Sequence, residues 1–337
     1  MKHMLTGSFL IAVLSIITTG NYAHAEAGEV RIVQQFGLSY LPLHVAVEQK
    51  LIQKHARAAG LGDIKVSLFR LASGAAVNDA LISGSVDIAM AGTTVLMTVW
   101  DKTKGRGDIK GMMAFCDTPM VITTSDPRIK SIRDYREGDR IAMTAARGTH
   151  HSVSLQMAAA KEFGWDNRNR LDNLTVGMSH PDAMAAMLSG AHEVKSHSAT
   201  VPFLQQELAD PRVRKVLSSY DVAGGRHTLI VAYNTSKWKN DNPKTYAAVA
   251  AAFEEAMAFI HRDKRAAAEL YTRAEKTRLT ADQVYKILQD ENALYFSPAP
   301  SKVMVWADYM GKVGLLKNKA SSWNDFFFEN VHDKPGS

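Results

Sequence analysis

Cysteine is almost absent from this sequence: Cys116 is the only one in 337 residues. A lone cysteine cannot form an internal disulfide, and it excludes a cysteine-based zinc site. Its neighbours, MMAFC over residues 112–116, are apolar, which favours burial of the thiol as a small hydrophobe. The HExxH, GxSxG and P-loop signatures are missing too, and no ordered acid–base pair stands out. We therefore expect no catalytic residues and no cofactor.

Charge of one sign is not concentrated anywhere along the chain. Forty Lys and Arg residues face 34 Asp and Glu residues, which gives a formal net charge of +6. The densest basic group, Lys102–Arg106, is short and has the composition of a solvated loop. A nucleic-acid-binding surface would combine clustered basic residues with interleaved aromatics, and this pattern is missing. We expect no nucleic-acid partner.

Long hydrophobic runs are missing after the N-terminus. Met1–Ala25 has a lysine near its front, the apolar run Phe9–Ile17 and the small-residue ending AHA at 23–25. These three parts make up a secretory signal peptide. The alternative, a membrane anchor, is disfavoured because the run is short and interrupted by Gly, Ser and Thr. We predict that the mature chain begins near Glu26 and is exported to the periplasm.

Strands and helices alternate at short spacing in the first part of the mature chain. This rhythm indicates an α/β domain with a largely parallel sheet. One long helix, Leu43–Lys54, follows the first strand, and Pro42 suits its first turn. The predicted strands of this part are Val30–Phe36, Ile64–Leu71, Val86–Met90 and Ile109–Phe115.

A second α/β unit follows, and the chain then becomes helical from Pro243, for which Asn242 is the predicted N-cap. We expect lobe 1 to comprise residues 28–118 and 230–337, with lobe 2, residues 119–229, inserted in it. The chain would cross between them at 118–124 and again through the extended segments Asp221–Ala223 and Thr228–Asn234. The aromatic tail Trp323–Phe328 would dock on lobe 1. A cleft would lie between the lobes at the carboxyl ends of the strands.

Four loops that precede predicted helices would face this cleft. Free N–H groups at a helix N-terminus attract anions and polar ligands. A short second-lobe strand ends at another cleft-facing position, His197. The candidate ligand-binding residues are therefore Ser39, Tyr40, Ser73, Gly74, Ala75, Thr93, Thr94, Gly148, Thr149, His150, His151 and His197.

Several of these residues keep two interpretations. Tyr40 either binds a ligand or covers the cleft wall. Ser73 is first a helix N-cap, and Gly74 beside it would let the backbone approach a ligand closely. Thr93 and Thr94 either cap their own helix or contact a ligand. Of the adjacent histidines at 150 and 151, one would face the ligand and the other solvent, or both are exposed residues of a helix start.

Four segments resemble the periplasmic substrate-binding proteins of ABC importers, in the group for nitrate, sulfonates, taurine and similar compounds. They are QFGLSYLPLHVAVEQKLIQKHA (35–56), SGAAVNDALISGSVDIAMAGTT (73–94), MSHPDAMAAMLSG (178–190) and NPKTYAAVAAAFEEAMAFI (242–260). The resemblance implies a two-lobed type II periplasmic-binding-protein fold with two crossovers, a C-terminal helical segment and closure on a small ligand. The histidine pair departs from the small hydroxyl residues common at that place in the group, which argues against a simple oxyanion.

Three classes of function remain open at this point. The first is a monomeric solute-binding component of an ABC importer, which delivers a sulfonate, aromatic carboxylate or pyrimidine-like solute to a permease with its ATPase. The second is a metal-binding periplasmic protein. The third, an enzyme, is disfavoured by the missing signatures. The histidines that suggest a metal are His150, His151, His180, His192 and His197.

The signal peptide gives the first testable prediction. Mass spectrometry of the protein isolated from the periplasm should give a chain that begins near Glu26, because cleavage follows the AHA ending. Retention of residues 1–25 in that fraction would reject the prediction.

Overall fold

The computed structural model describes residues 26–191, 193–275 and 277–337. The predicted signal peptide and His192 of the metal hypothesis therefore lie outside the described residues. Within them, the strands are β1 (Glu29–Gln34), β2 (Lys65–Arg70), β3 (Ile88–Gly92), β4 (Ile109–Asp117), β5 (Val121–Thr124), β6 (Ile141–Met143), β7 (Thr175–Gly177), β8 (Ser196–Ala199), β9 (Arg214–Ser218), β10 (Thr228–Thr235) and β11 (Tyr295–Phe296). The four predicted first-part strands lie within two residues of β1 to β4.

The strands form two sheets with the same internal order. The first runs β2-β1-β3-β10-β4-β11 and the second β7-β6-β8-β5-β9. In the first sheet β1 is parallel to β2 and β3, while β10 lies antiparallel between β3 and β4. In the second, β6 is parallel to β7 and β8, while β5 lies antiparallel between β8 and β9. In each sheet the antiparallel insert is the strand that follows a crossing, so the sheets exchange chain at two places. The expected α/β class is confirmed.

Helices cover the sheets, and within the described residues none is long and apolar enough to span a bilayer. They are α1 (Leu41–Glu48), α2 (Leu51–Ala58), α3 (Gly74–Ile82), α4 (Thr93–Thr103), α5 (His150–Phe163), α6 (His180–Ser189), α7 (Phe203–Leu208), α8 (Ser219–Ala223), α9 (Ser236–Asp241), α10 (Pro243–Arg262), α11 (Lys264–Glu275), α12 (Ala281–Gln289) and α13 (Val303–Lys312).

The long helix predicted over Leu43–Lys54 is wrong, because the structure divides it into α1 and α2. Lys50 adopts a left-handed conformation with φ 54°, which no α-helix can include. The turn lets Leu51 and Ile52 at the start of α2 enter the core. The apolar periodicity continues across the turn, which is why it suggested a single helix.

The second crossing also differs from the prediction. Asp221–Ala223, expected to be extended, belongs to the short helix α8. The Ser218 hydroxyl accepts a hydrogen bond from the Tyr220 N–H and so caps this helix. The rest of the crossing, Thr228–Asn234, is extended as predicted and forms most of β10.

The N-terminus of α10 is capped from a distance. Pro243 is its first residue as predicted, but the Asn242 side chain makes no cap hydrogen bond and accepts one from Ala27 N–H instead. The Glu26 carboxylate caps the helix instead. It accepts hydrogen bonds from the N–H groups of Lys244 and Thr245 at 3.0 and 2.7 Å. The first described residue is therefore tied to the longest helix.

The aromatic tail docks on the first sheet and its helices, as predicted. The Phe326 ring lies 4.6 Å from that of Trp100 on α4, and Phe328 N–H donates to Gly111 O of β4. Gly111 is required here, because a Cβ at this position would lie 2.4 Å from the Phe327 ring. The tail thereby closes one side of the main core.

Removal of the distant cap tests this arrangement. Glu26→Ala should lower the free energy of unfolding by about 1 kcal/mol, the usual cost of losing an N-cap acceptor. Urea denaturation of the mature chain measures this change. Glu137→Ala, at an exposed position, is the matched control and should leave the midpoint unchanged. Equal midpoints for both variants would contradict the capping role.

Candidate functional site

A cavity of about 40 Å³ lies between the two sheets, where the loops after β1, β3, β6, β7 and β8 meet. One water needs roughly 10–15 Å³ measured this way, so the cavity has room for about three water-sized groups. It is lined by Gln35, Phe36, Ser39, Tyr40, Gly74, Gly92, Val95, Thr144, Thr149, His150, His151, His180, Thr200, Leu229 and Ile230.

Half of the predicted site residues reach this cavity. Ser39, Tyr40, Gly74, Thr149, His150 and His151 line it. The other six, Ser73, Ala75, Thr93, Thr94, Gly148 and His197, do not appear in its wall. Ala75 and Gly148 line a neighbouring groove of about 230 Å³ instead.

The remaining predicted residues have structural partners. The Ser73 hydroxyl caps α3 by accepting from Ala76 N–H at 3.3 Å, as predicted. Neither threonine at the start of α4 caps that helix. Thr93 donates to the backbone oxygen of Thr228 at 3.1 Å, and so joins α4 to the second crossing. His197 is fully buried behind the cavity wall.

Gly74 and Tyr40 serve the protein core as well as the cavity. A Cβ at position 74 would lie 2.6 Å from a methyl group of Val95, so the close approach that Gly74 permits is between α3 and α4. Tyr40 is 2% exposed, and burial raises the pKa of its phenol. Ser39 hydrogen-bonds the Cys116 thiol, whose pKa burial raises to about 12. This thiol is buried, as predicted.

Both histidines at the start of α5 are buried, so the expectation that one or both would face solvent is wrong. His150 and His151 are 2% and 7% exposed. Burial lowers the pKa of His151 to about 3 and holds those of His150 and His180 well below their usual range. Among the lining residues that the structure describes, none is Lys, Arg, Asp or Glu. The cavity wall is therefore uncharged at neutral pH and combines polar groups with apolar side chains.

His150 is fixed in place by two aromatic rings and one amide. Thr94 N–H donates to its Nδ1 at 3.5 Å, which leaves the proton of the neutral ring on Nε2. The ring stacks on His227 at 5.6 Å and meets Trp306 edge-on at 4.7 Å. His227 also meets Trp306 edge-on at 4.7 Å. These three rings belong to α5, the second crossing and α13, so they connect the cavity to the crossing.

The other two cavity histidines are anchored in the second sheet. His151 Nδ1 lies 2.7 Å from the Ser198 hydroxyl. His180 Nδ1 lies 2.8 Å from Nε2 of His197, whose Nδ1 lies 2.5 Å from the Glu207 carboxylate. The sequence analysis did not name Glu207 as a site residue. Its helical spacing from Phe203 and Leu204, both buried, places it on the inner face of α7 and was the available signal.

The metal-binding alternative gains no support from this arrangement. In the part of the chain that the structure describes, no three His, Cys, Asp or Glu side chains are placed to hold a metal ion. His180 and His197 bond each other, and His151 bonds a serine hydroxyl. One ring nitrogen of each of these three histidines is therefore already held by a protein partner.

The buried histidines predict how stability depends on pH. The folded-state pKa is about 3 for His151 and about 4 for His227, against roughly 6.5 in the unfolded chain. As pH falls below 6.5, the histidines bind protons in the unfolded chain but stay neutral in the folded chain. The free energy of unfolding therefore decreases. Asp117 opposes this trend, because burial raises its pKa to about 6 and the folded state gains its proton first. The effect of the four buried histidines on the free energy of unfolding exceeds that of this one carboxyl group. These histidines are His150, His151, His180 and His227.

Urea denaturation should therefore show that the free energy of unfolding falls by at least about 2 kcal/mol between pH 6.5 and pH 5. His151→Asn should reduce the slope of the free energy of unfolding against pH by up to the contribution of one bound proton. Asn169→Ser, at an exposed position without a titratable group, is the control and should leave the slope unchanged. A stability that is flat over this range would contradict the neutral, buried state of the histidines.

Comparisons with known proteins agree with the fold. No curated protein sequence matches the chain significantly. The structure is similar to the alkanesulfonate-binding protein SsuA of Xanthomonas axonopodis pv. citri, with 18% identity, TM-score 0.68 and coverage of 87% of this chain and 96% of that one.

Two further solved structures are similar over most of their length. The aliphatic sulphonate binding protein SsuA of Escherichia coli has 17% identity, TM-score 0.65 and coverage of 90% and 98%. The nitrate-binding protein NrtA of Synechocystis PCC 6803 has 16% identity, TM-score 0.68 and coverage of 89% and 84%. They confirm the two-lobed periplasmic-binding-protein fold. The model of the NMT1-like family matches residues 24–274, about three quarters of the sequence, and the chain therefore belongs to that family.

Proposed function

We propose that this protein is the extracytoplasmic solute-binding component of an ABC importer. The observation that carries the proposal is the uncharged cavity between the two lobes, which both lobes line with hydroxyl and imidazole groups among apolar side chains. Membership of the NMT1-like family and the similarity to periplasmic sulfonate- and nitrate-binding proteins support it. In this function the protein works in the periplasm, binds without catalysis and delivers its solute to a permease with a cytoplasmic ATPase.

Capture requires that the lobes open and close about the two crossings. We assign residues 28–118 and 230–337 to lobe 1 and residues 119–229 to lobe 2. The crossings run side by side, because Met120 N–H donates to the Ser219 hydroxyl and Ser219 N–H donates to the Met120 oxygen, both at 2.9 Å. A paired crossing of this kind suits a hinge that bends without separating.

The solute would lie between groups that face each other across the cleft. Ser39 and Tyr40 belong to lobe 1, while Thr149, His150 and His151 start a helix of lobe 2. Helices α1, α3, α4, α5 and α6 all begin at or near the cavity, so their partial positive charges favour a polar or anionic group. The volume of about 40 Å³ suits one small polar group, such as the head of an organic solute.

A cavity-filling substitution tests the site. Thr144 directly follows β6, and its half-buried side chain lines the cavity. Thr144→Phe should fill about 40 Å³ and abolish ligand stabilisation while the fold is kept. The measurement is thermal unfolding with a panel of sulfonates, aromatic carboxylates, pyrimidines and inorganic anions, because a bound ligand raises the melting temperature by mass action.

Thr272→Phe, on α11 and away from the cavity, is the matched control and should respond to the same compounds as the parent. A compound that stabilises the parent and the Thr144→Phe variant equally binds elsewhere, and the proposed site would then be wrong.

A further inference from the structure

A chain of three buried side chains leads from the interior of the second lobe to the cavity. The Glu207 carboxylate accepts from the Thr123 hydroxyl at 2.6 Å and lies 2.5 Å from Nδ1 of His197. Nε2 of His197 lies 2.8 Å from Nδ1 of His180, and Nε2 of His180 lies 3.4 Å from the Thr200 hydroxyl. Only His180 and Thr200 line the cavity.

The charge of this chain is restricted by its burial. Glu207 and His197 are both 0% exposed, and among the described residues His197 is the only basic partner of the carboxylate. A net charge at such a place would be costly, because no water solvates it. The Thr123 hydroxyl donates to Oε2 of Glu207, so this oxygen carries no proton of its own. The pair is then neutral overall when one proton lies between Oε1 of Glu207 and Nδ1 of His197 while Nε2 of His197 carries another.

Electroneutrality, together with the hydrogen bond that Thr123 donates to Glu207, determines which way the other hydrogen bonds run. Whether the shared proton belongs to the carboxyl group or to the imidazole, Nε2–H of His197 donates to Nδ1 of His180. Because its Nδ1 accepts, the neutral His180 ring carries its own proton on Nε2. That N–H points along the chain to Thr200 and the cavity wall. It is a donor, as is Nε2–H of His150.

The groups around His180 leave this direction unchanged. His151 on α5 has its ring centre 5.4 Å away and is neutral, and Phe203 on α7 stacks on the other face at 5.4 Å. Thr200 both donates and accepts, so it can receive Nε2–H and pass its own hydroxyl proton onward. Within the described residues, the hydrogen bonds of the His180 ring go to His197 and Thr200, and it forms no ion pair.

Building on the proposed function, we propose that Glu207 and His197 are positioning residues that hold His180 with Nε2–H towards the cavity. The site therefore selects solutes whose buried end presents a hydrogen-bond acceptor there and rejects solutes that present a donor. The histidine pair at 150 and 151, which argued against an oxyanion in the sequence, becomes compatible with one, because His150 also offers a donor.

The proton positions can be measured without any solute. In protein labelled with ¹⁵N-histidine, long-range ¹H–¹⁵N spectra at pH 7 should show His180 protonated on Nε2 and bare on Nδ1. His180→Gln assigns its signals by their loss. A His180 ring protonated on Nδ1 and bare on Nε2 would overturn the proposal, whatever the protein binds.

Two substitutions at Glu207 separate positioning from packing. In Glu207→Gln the amide donates to Nδ1 of His197 and its oxygen accepts from Thr123, so the direction of the chain is kept. The His180 tautomer and the solute affinity should then stay within about threefold of the parent. Glu207→Leu removes the partner, so His180 should show mixed tautomers and affinity should fall at least about tenfold. Gln206→Leu on the same helix is the control and should bind as the parent does.

Solute polarity is tested by calorimetry with methanesulfonate and nitrate as acceptor probes and methylguanidinium as the donor probe. Binding of an acceptor probe, weakened in Glu207→Leu and kept in Glu207→Gln, supports the proposal. Preferential binding of methylguanidinium overturns it. If no probe or panel compound binds, the proposed import function fails, while the tautomer spectrum still decides the direction of the hydrogen bonds.

Discussion

The cost of burying charge is the constraint on which the site depends. Five helices begin near one small cavity, and their N-terminal N–H groups bring partial positive charge to it. A lysine or arginine in the wall would be unfavourable in this environment without a permanent anion to pair with. Neutral histidines and hydroxyl groups avoid this cost and still supply hydrogen bonds. The carboxylate of Glu207 lies a full histidine pair away from the cavity and hydrogen-bonds His197 there.

The repeated strand order makes such a site possible. Each sheet places parallel strands beside one antiparallel strand that arrives from the other sheet. The loops after β1 and β3 therefore face the loops after β6, β7 and β8 across one gap. Each lobe alone would offer only part of a shell. In the proposed function, closure would complete this shell and so link solute binding to the relative position of the lobes.

The fold was largely predictable from the sequence, whereas the site was only partly so. Apolar runs bounded by turns located β1 to β4, since strand burial is a local pattern. Helix starts located the loops of Ser39 and His150 for the same reason. The pairing of His197 with Glu207, the capping of α10 by Glu26 and the amide that Thr94 gives to His150 were not predictable. Each joins side chains through tertiary packing, on which local periodicity carries no information. The helix break at Lys50 was not predicted, because a single residue in the left-handed conformation does not change the spacing of the apolar residues.

The ring cluster of His150, His227 and Trp306 has a consequence for the resting protein. The three rings are in mutual contact, and in the proposed function His150 would move with one lobe, Trp306 with the other, while His227 lies near the second crossing. Opening the cleft would part His150 from Trp306 and wet ring faces that are dry when the lobes meet. In the proposed function the cluster would hold the lobes together weakly and favour the closed arrangement of the empty protein. A solute would then lose less of its binding free energy to rearrangement, while the permease would have to supply the free energy that separates the rings at release.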